Sequence, residues 1–398
     1  MSPCSRSLDG ERMTQKTVLL TSWGRGHGHI ARLEKIGRAF DHEGWTPIVY
    51  GHSNSMHVQR ILEAGWQYHR YEPWAEEIDP WMDWNKGRVL SASVALDREF
   101  LRRVRPSLVV NDNRVSMMLA ALAEQIPIVS LCQDNQLPGY CYDGRTTPET
   151  WLLPIDAINH ELVAIGHLPI SDDARWLFCR SRVAIPSSED LEPVDWFASP
   201  EVDVVYTGLL DRGSGGAGAH ATSLLFYRTV GKIDPEFREA FSSWPGRIYI
   251  ATGGSRLDDD GCGPLGLRNL EVAPLWDLDR IGHSLQAIVH HGGHGITLKC
   301  LADRIPSVAL PGHNPERLAN GMRAASEGPN LVLHPPALVG TVWGAAVDET
   351  GDRPPWTEIR AAIDSLPDRA ISETTDIDVT ADQKRLVALL TAAPHAPR

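Results

Sequence analysis

Short apolar runs and amphipathic stretches take turns along this chain. Thr17 to Ser22 reads as a strand, and Ala31 to Glu43 as a helix with Leu33, Ile36, Gly37 and Phe40 on one side. Thr46 to Tyr50 reads as a second strand and Val58 to Ala64 as a short helix. After an Arg-Pro break come strand Ser107 to Asn111, helix Val115 to Glu124 and strand Ile128 to Cys132; Val202 to Tyr206 closes this half. A second set follows: strand Leu224 to Thr229, helix Glu236 to Ser242, strand Arg247 to Ala251, strand Ala287 to His290, helix Thr297 to Ala302 and strand Ser307 to Leu310. Alternation of this kind predicts an α/β fold with parallel sheets, because parallel neighbours need a crossover and a helix supplies it.

Between the two sets lies Asp211 to Gly218, with four glycines in eight residues. Such a stretch is flexible and marks a domain joint. The 398 residues exceed what one core usually serves. The expected layout is an N-terminal domain over 14–211, a linker over 212–218 and a C-terminal domain over 219–378. Residues 379–398 are expected to form a terminal helix, Thr380 to Ala392, and a tail. Residues 1–13 read as a disordered leader, with Met13 as an alternative start.

Composition narrows the function. A net charge of −13 disfavours nucleic acid, whose phosphates need a basic surface. Six cysteines at 4, 132, 141, 179, 262 and 300 form no CxxC pair and read as reduced thiols. No apolar run approaches a membrane span, so the expected location is the cytoplasm, without membrane insertion.

The richest chemistry lies in HHGGHGITLKCLADRIPSVALP, residues 290 to 311. An apolar run ends in His290-His291-Gly292-Gly293, and a helix follows His294-Gly295. Strand, glycine turn and helix N-terminus make an anion site, because unpaired N–H groups and the helix dipole converge there. A P-loop is excluded: before Gly231-Lys232 the glycine it requires is Phe226. A zinc site is disfavoured, since adjacent strand histidines point to opposite faces and no nearby Cys/His pair completes a tetrahedron. Near the N-terminus Gly24, Gly26 and Gly28 approach a dinucleotide fingerprint, but His29 takes the place of its third glycine. No acid follows the second strand to hold a ribose.

The 290–311 segment resembles the donor-diphosphate signature of GT-B glycosyltransferases, in the family 1 and MurG-like group, which use nucleotide sugars. Ile296 stands where the family has its first threonine, and Arg304-Ile305-Pro306 where it has Gly-Val-Pro. Other segments are similar in order and spacing: VLLTSWGRGHGHIARLEKIGRAF, SLVVNDNRVSMMLAALAEQIPIVSL, VVYTGLL, FYRTVGK, IYIATGG, NLEVAPLW and PGHNPERLAN. In the last, Pro315-Glu316 occupies the place of a common Asp-Gln pair. The resemblance spans about residues 17 to 335 and implies two Rossmann-like domains facing a central cleft.

What the resemblance implies chemically can be stated by residue. A sugar moves from a UDP- or dTDP-sugar to a small-molecule acceptor with inversion, and the nucleotide sugar is a co-substrate, with no separate cofactor or metal. His29 is the expected general base, with His27 as the competing choice, and Asp112 orients it. Donor contacts are expected from Thr229, Gly231, Leu275, Trp276, His291, Gly292, Gly293, Gly295, Ile296, Thr297, Glu316 and Asn320, with Lys232 as an additional cation. Trp74, Trp81 and Asn135 are expected on the acceptor side. The aromatic and acidic stretch 66–84 suits sugars, flat scaffolds or an amine-bearing acceptor, and equally suits a loop anchored by buried rings. Arg98, Arg102, Arg103 and Arg105 read as a solvated helix face. The acid strings Asp258-Asp259-Asp260 and Asp277-Leu278-Asp279 read as loop acids. Two further functions share this architecture: a nucleotide-sugar 2-epimerase, and a non-catalytic sugar-nucleotide-binding protein. The oligomeric state stays open.

Overall fold

The computed structural model describes residues 16–22, 27–51, 55–70, 87–142, 145–146, 155–197, 199–210, 221–227, 229–230, 232–253, 258–259, 267–312, 315–328, 330–333, 355–366 and 383–392. The expected leader, the Gly-rich joint, Gly231, Trp74 and Trp81 lie outside them.

The first sheet contains β1 (Thr17–Ser22), β2 (Thr46–Gly51), β3 (Gln67–Arg70), β4 (Leu108–Asp112), β5 (Ile128–Leu131), β6 (Arg182–Ile185) and β7 (Val204–Tyr206). All its pairs are parallel, in the order β3-β2-β1-β4-β5-β6-β7. The second contains β8 (Ser223–Tyr227), β9 (Ile248–Ala251), β10 (Leu270–Ala273), β11 (Leu285–His290), β12 (Ser307–Ala309) and β13 (Asn330–Val332). It is also parallel, in the order β10-β9-β8-β11-β12-β13. In each sheet the domain's first strand sits centrally and the order reverses beside it. Ligands of open α/β sheets collect at the carboxyl ends of the strands flanking such a reversal.

Helices cover both faces, so the central strands read as nearly unbroken apolar runs. Val18 to Leu20, Val109, Val110 and Ala287 to Val289 are fully buried. The helices are α1 (His27–His42), α2 (Ser55–Glu63), α3 (Gly87–Val104), α4 (Val115–Ala123), α5 (Ile155–Ala164), α6 (Pro235–Phe241), α7 (Leu278–Ile281), α8 (His294–Ala302), α9 (Pro315–Glu327), α10 (Trp356–Ser365) and α11 (Gln383–Thr391). Helix α4 is apolar on nearly every side and correspondingly buried. Trp356 on α10 anchors the C-terminal core against Phe226, Phe237 and Phe241.

The periodicity reading placed most elements within a few residues. It missed β3, α3, α5, β6, β10, α7, α9, β13 and α10, and it began α1 four residues late, so His29 lies inside the first turn of that helix. Arg98 and Arg102 are indeed on a helix, but both bind Glu124 beyond the end of α4. The terminal helix α11 returns to the N-terminal domain. Its Leu386, Val387 and Leu390 join Leu33, Ile36 and Phe40 in one core. Arg182 donates to the carbonyls of Leu389 and Ala392 at 2.6 and 2.7 Å, satisfying the free end of α11. Across the domain boundary, Leu191 and Leu209 pack with Leu298 and Leu301 of α8 and Ala324 of α9. Among the described residues no helix is long and apolar enough to cross a membrane.

Candidate active site

The reversal in the first sheet lies between β1 and β4, whose last register pair is Ser22 with Asp112. The chain leaves β1 and returns as α1, which brings His29 over Asp112. His29 Nδ1 lies 2.9 Å from Asp112 Oδ1. Arg32 is three residues on and therefore on the same helix face. Its Nε donates to Asp112 Oδ2 and its Nη2 to Oδ1, both at 3.1 Å. Asp112 is fully buried, which by itself would push its carboxyl up. The Arg32 guanidinium and His29 outweigh that and hold the carboxyl below its ordinary range. Facing a carboxylate, Nδ1 of His29 carries the hydrogen and donates it. The 3.1 Å approach of Arg32 Nη2 to that nitrogen is then a close neighbour, not a bond. Nε2 is then the ring nitrogen without a hydrogen, and so the one that can receive a proton.

The reversal in the second sheet lies between β8 and β11, where Tyr227 pairs with His290. His290 is fully buried, and burial pushes its imidazole down to about 3. It is a neutral bracket for the turn. Its Nδ1 accepts from the Gly292 N–H at 3.1 Å, and its Nε2 meets Ser307 Oγ at 3.2 Å. Ser307 in turn donates to Asn330 Oδ1. Gly292 has φ +77°, and a Cβ there would lie 2.5 Å from the Arg317 carbonyl. A Cβ on Gly293 would lie 2.5 Å from the His291 ring. Gly292 requires glycine both for room against backbone and for its backbone angle, whereas the neighbour at Gly293 is a side chain that can turn away.

Helix α8 begins directly after this turn, with Gly293 as an N-cap that offers no side chain. The first intrahelical bond runs from Thr297 N to Gly293 O. The N–H groups of His294, Gly295 and Ile296 precede it and have no intrahelical acceptor. Space is open beside Gly295. His291 lies parallel to the Tyr227 ring, 5.9 Å between centroids. Thr229 follows β8 with a buried hydroxyl that has no partner among the described residues. Asn320 on α9 donates to the Gly292 carbonyl at 3.2 Å and so supports the turn. Its buried Oδ1 has no partner among the described residues.

A polar chain that sequence reading missed joins the two sides. Arg32 Nη1 lies 3.3 Å from His294 Nδ1, and His294 Nε2 lies 2.5 Å from Glu192 Oε1. Glu192 Oε2 accepts from the Asp134 N–H at 3.0 Å, and Arg323 donates to Asp134 Oδ2 at 2.6 Å. Gln133 donates to Glu316 at 2.8 Å, again across the boundary. Burial would push Glu192 up, but His294 and then Arg323 hold it low. Burial and the nearby Glu192 push Asp134 up. One signal was available in the sequence: Arg32 follows His29 at helical spacing. His294 lies inside the glycine motif, whose spacing carries no sign of a partner in the other domain.

The other predicted positions divide. Leu275 and Trp276 are half-buried beyond β10, and Trp276 spends its indole N–H on the Ile250 carbonyl at 3.0 Å. Thr297 donates its hydroxyl to Gly293 O at 2.9 Å, inside the helix turn. Ile296 is buried in the core beneath the turn. Asn135 is buried in the short 3-10 turn after β5, and its side-chain amide nitrogen has no partner among the described residues. Asp277 caps α7, and Asp279 pairs with Lys299. Asp258 and Asp259 pair as a short strand with Lys232 and Ile233. Among the described residues no group of three His, Cys, Asp or Glu side chains is placed to hold a metal.

No protein-family profile matches the sequence, and no curated protein matches it. Solved structures do. The calicheamicin glycosyltransferase CalG4 is similar at a TM-score of 0.62 and 19% identity, over 95% of this chain and 94% of that one. LpCGTa, solved in complex with UDP, is similar at 0.59 and 14%, over 95% and 100%. VinC, solved in complex with dTDP, is similar at 0.57 and 14%, over 95% and 96%. Likeness at such identity shows the fold: two Rossmann-like domains in the GT-B arrangement.

Proposed function

We propose that this chain is an inverting glycosyltransferase. It moves a sugar from a UDP- or dTDP-sugar to a hydroxyl of a small, natural-product-like acceptor. The observation that carries this reading is the opposition of two sites at the two sheet reversals. His29, braced by Asp112, stands at one, and the uncapped N-terminus of α8 stands at the other. The first can take a proton and the second can hold a diphosphate. The structural neighbours solved with UDP and dTDP, and the calicheamicin enzyme, support the donor and acceptor classes.

In the step, the acceptor oxygen attacks the anomeric carbon and its proton passes to His29 Nε2. The bond from that carbon to the diphosphate oxygen breaks, and the nucleoside diphosphate leaves. Attack opposite the leaving group inverts the centre. Asp112 stabilises the imidazolium formed on His29, as an acid does in hydrolase triads. The N–H groups of His294, Gly295 and Ile296, with His291 and the Thr229 hydroxyl, stabilise the charge on the departing diphosphate. This arrangement does not call on a cation. Glu316 and Asn320 lie at the start and on the second turn of α9, where donor-sugar hydroxyls would reach.

The test begins with binding. Saturating UDP or dTDP should raise the melting temperature, since a ligand at 100 times its Kd adds about 2.7 kcal/mol to the folded state. His291→Ala should reduce that rise. A screen of nucleotide sugars with hydroxylated acceptors, read by mass spectrometry, should then find a glycosylated product with free nucleoside diphosphate. Conversion of the nucleotide sugar without acceptor would point to a 2-epimerase. Binding with no turnover would point to a non-catalytic binding protein, and no binding would overturn the donor site.

A further inference from the structure

Arg32 is the feature of this site that base catalysis alone does not explain. It is an arginine nine-tenths buried, set between a histidine and a carboxylate. Three of its nitrogens are engaged. Nε and Nη2 clamp both oxygens of Asp112, and Nη1 reaches His294 in the other domain. A guanidinium is suited to this because its planar fork matches a carboxylate and still leaves a nitrogen for a third partner. His294 is itself anchored, since its far nitrogen meets buried Glu192. A tautomer satisfies both contacts: Nε2–H donates to Glu192, and Nδ1 accepts from Arg32. His294 is also the first residue of α8, the helix whose N-terminus faces the donor in the reading above.

We propose that Arg32 is a positioning residue that holds Asp112 as an oriented carboxylate beside His29 and fastens this pair, through His294, to the donor-binding helix. The base and the diphosphate site are then one hydrogen-bonded unit, complete only with the domains together. Four charged or titratable groups surround the His29 ring and its partner in this network: Asp112 from β4, Arg32 from α1, His294 from α8 and, behind His294, Glu192. Cys132, also close to Asp112, is buried and its thiol is pushed well up, so it stays neutral. Arg32 is therefore the permanent cation of the cluster. Without it a dry carboxylate faces burial with only the imidazole to offset the cost.

This inference rests on the glycosyltransferase reading for its meaning in turnover, but it has a readout that needs no turnover. The full-length protein is compared as wild type, Arg32→Gln, Arg32→Lys and the Arg32→Gln/Asp112→Asn double variant. In Arg32→Gln, infrared difference spectra at neutral pH should show a protonated carboxyl band. The band is read as variant minus wild type, which cancels the proton that the raised Asp134 holds in both, and the double variant minus wild type should lack it. Arg32→Lys keeps a cation but cannot span both Asp112 and His294. It should show no such band and still lose turnover tenfold or more, in kcat with little change in KM for the donor. The acid limb of the pH–rate profile should move to higher pH in Arg32→Gln. A folded Arg32→Gln with no band and an unmoved acid limb would overturn the proposal. If Arg32→Gln does not fold, Arg32→Lys decides alone: turnover equal to wild type would show that the fork and its bridge are dispensable. If wild type turns over no sugar nucleotide, the function fails while the infrared comparison still judges Arg32.

Discussion

Arg32 and His294 meet across the domain boundary, Nη1 to Nδ1 at 3.3 Å, although 262 positions separate them in the chain. The contact places the proposed base and the proposed donor site within one network. It also makes the geometry of His29 depend on how the C-terminal domain is seated.

His29→Ala should lower kcat by about 10² to 10⁴-fold, the usual worth of a general base, and leave the Kd for UDP or dTDP near wild type. The split arises because His29 lies in the N-terminal domain and the diphosphate site in the other. Asp112→Asn should cost less, since the imidazole remains while its orientation loosens. His27→Ala should have a mild effect. If His27→Ala abolishes turnover and His29→Ala does not, the base is misassigned. An amine acceptor would make both losses small, which assay of an isosteric alcohol and amine would reveal.

Turnover should survive EDTA. The N-terminus of α8 and His291 offer the charge stabilisation that a divalent ion supplies elsewhere. Complete loss in EDTA, restored only by Mg²⁺ or Mn²⁺, would shift attention to the acids at 258–260 and 277–279.

Gly292→Ala should destabilise the fold by about 1–3 kcal/mol, the usual cost of a strained backbone position. The new methyl must occupy a φ of +77° and lie 2.5 Å from the Arg317 carbonyl. Relief by moving α9 would drag Asn320 from the turn, so diphosphate binding should weaken as well. Urea unfolding and a UDP or dTDP titration measure the two effects separately.

The acid pair at the domain boundary predicts a pH dependence. Burial, then Glu192, raises Asp134 to about 7. A carboxyl raised in the native state holds a proton that the unfolded chain has already released. Its contribution to stability is therefore present at low pH and falls as pH rises from the ordinary carboxylate range through about 7. Glu192 has the opposite sign: held low, it stabilises above its ordinary range and is lost only in strong acid. Between pH 5 and 8 the Asp134 effect dominates. Asp134→Asn, which keeps a neutral group at that position, should gain on wild type as pH rises across that interval. Denaturant midpoints at both ends measure it, and a constant difference would contradict the assignment.

Much of the molecule follows from local sequence. Apolar runs such as Val18 to Leu20 and Ala287 to Val289 must become buried strands, because nothing else covers them on both faces. His290-His291-Gly292-Gly293 specifies its own turn, since Gly292 needs a positive φ. His29 and Arg32 share a helix face by spacing alone. What the sequence could not determine is which distant groups these would meet. Asp112 lies under His29 only because β4 pairs with β1 in register. Glu192 reaches His294 across 102 positions, and Gln133 reaches Glu316 across 183. The return of α11 to the N-terminal core belongs to the same class. An apolar or polar pattern records that a side chain will be buried or paired, but not with what. That choice is made when the sheets and domains close on one another, where each buried charge must find a partner or pay the full cost of losing water.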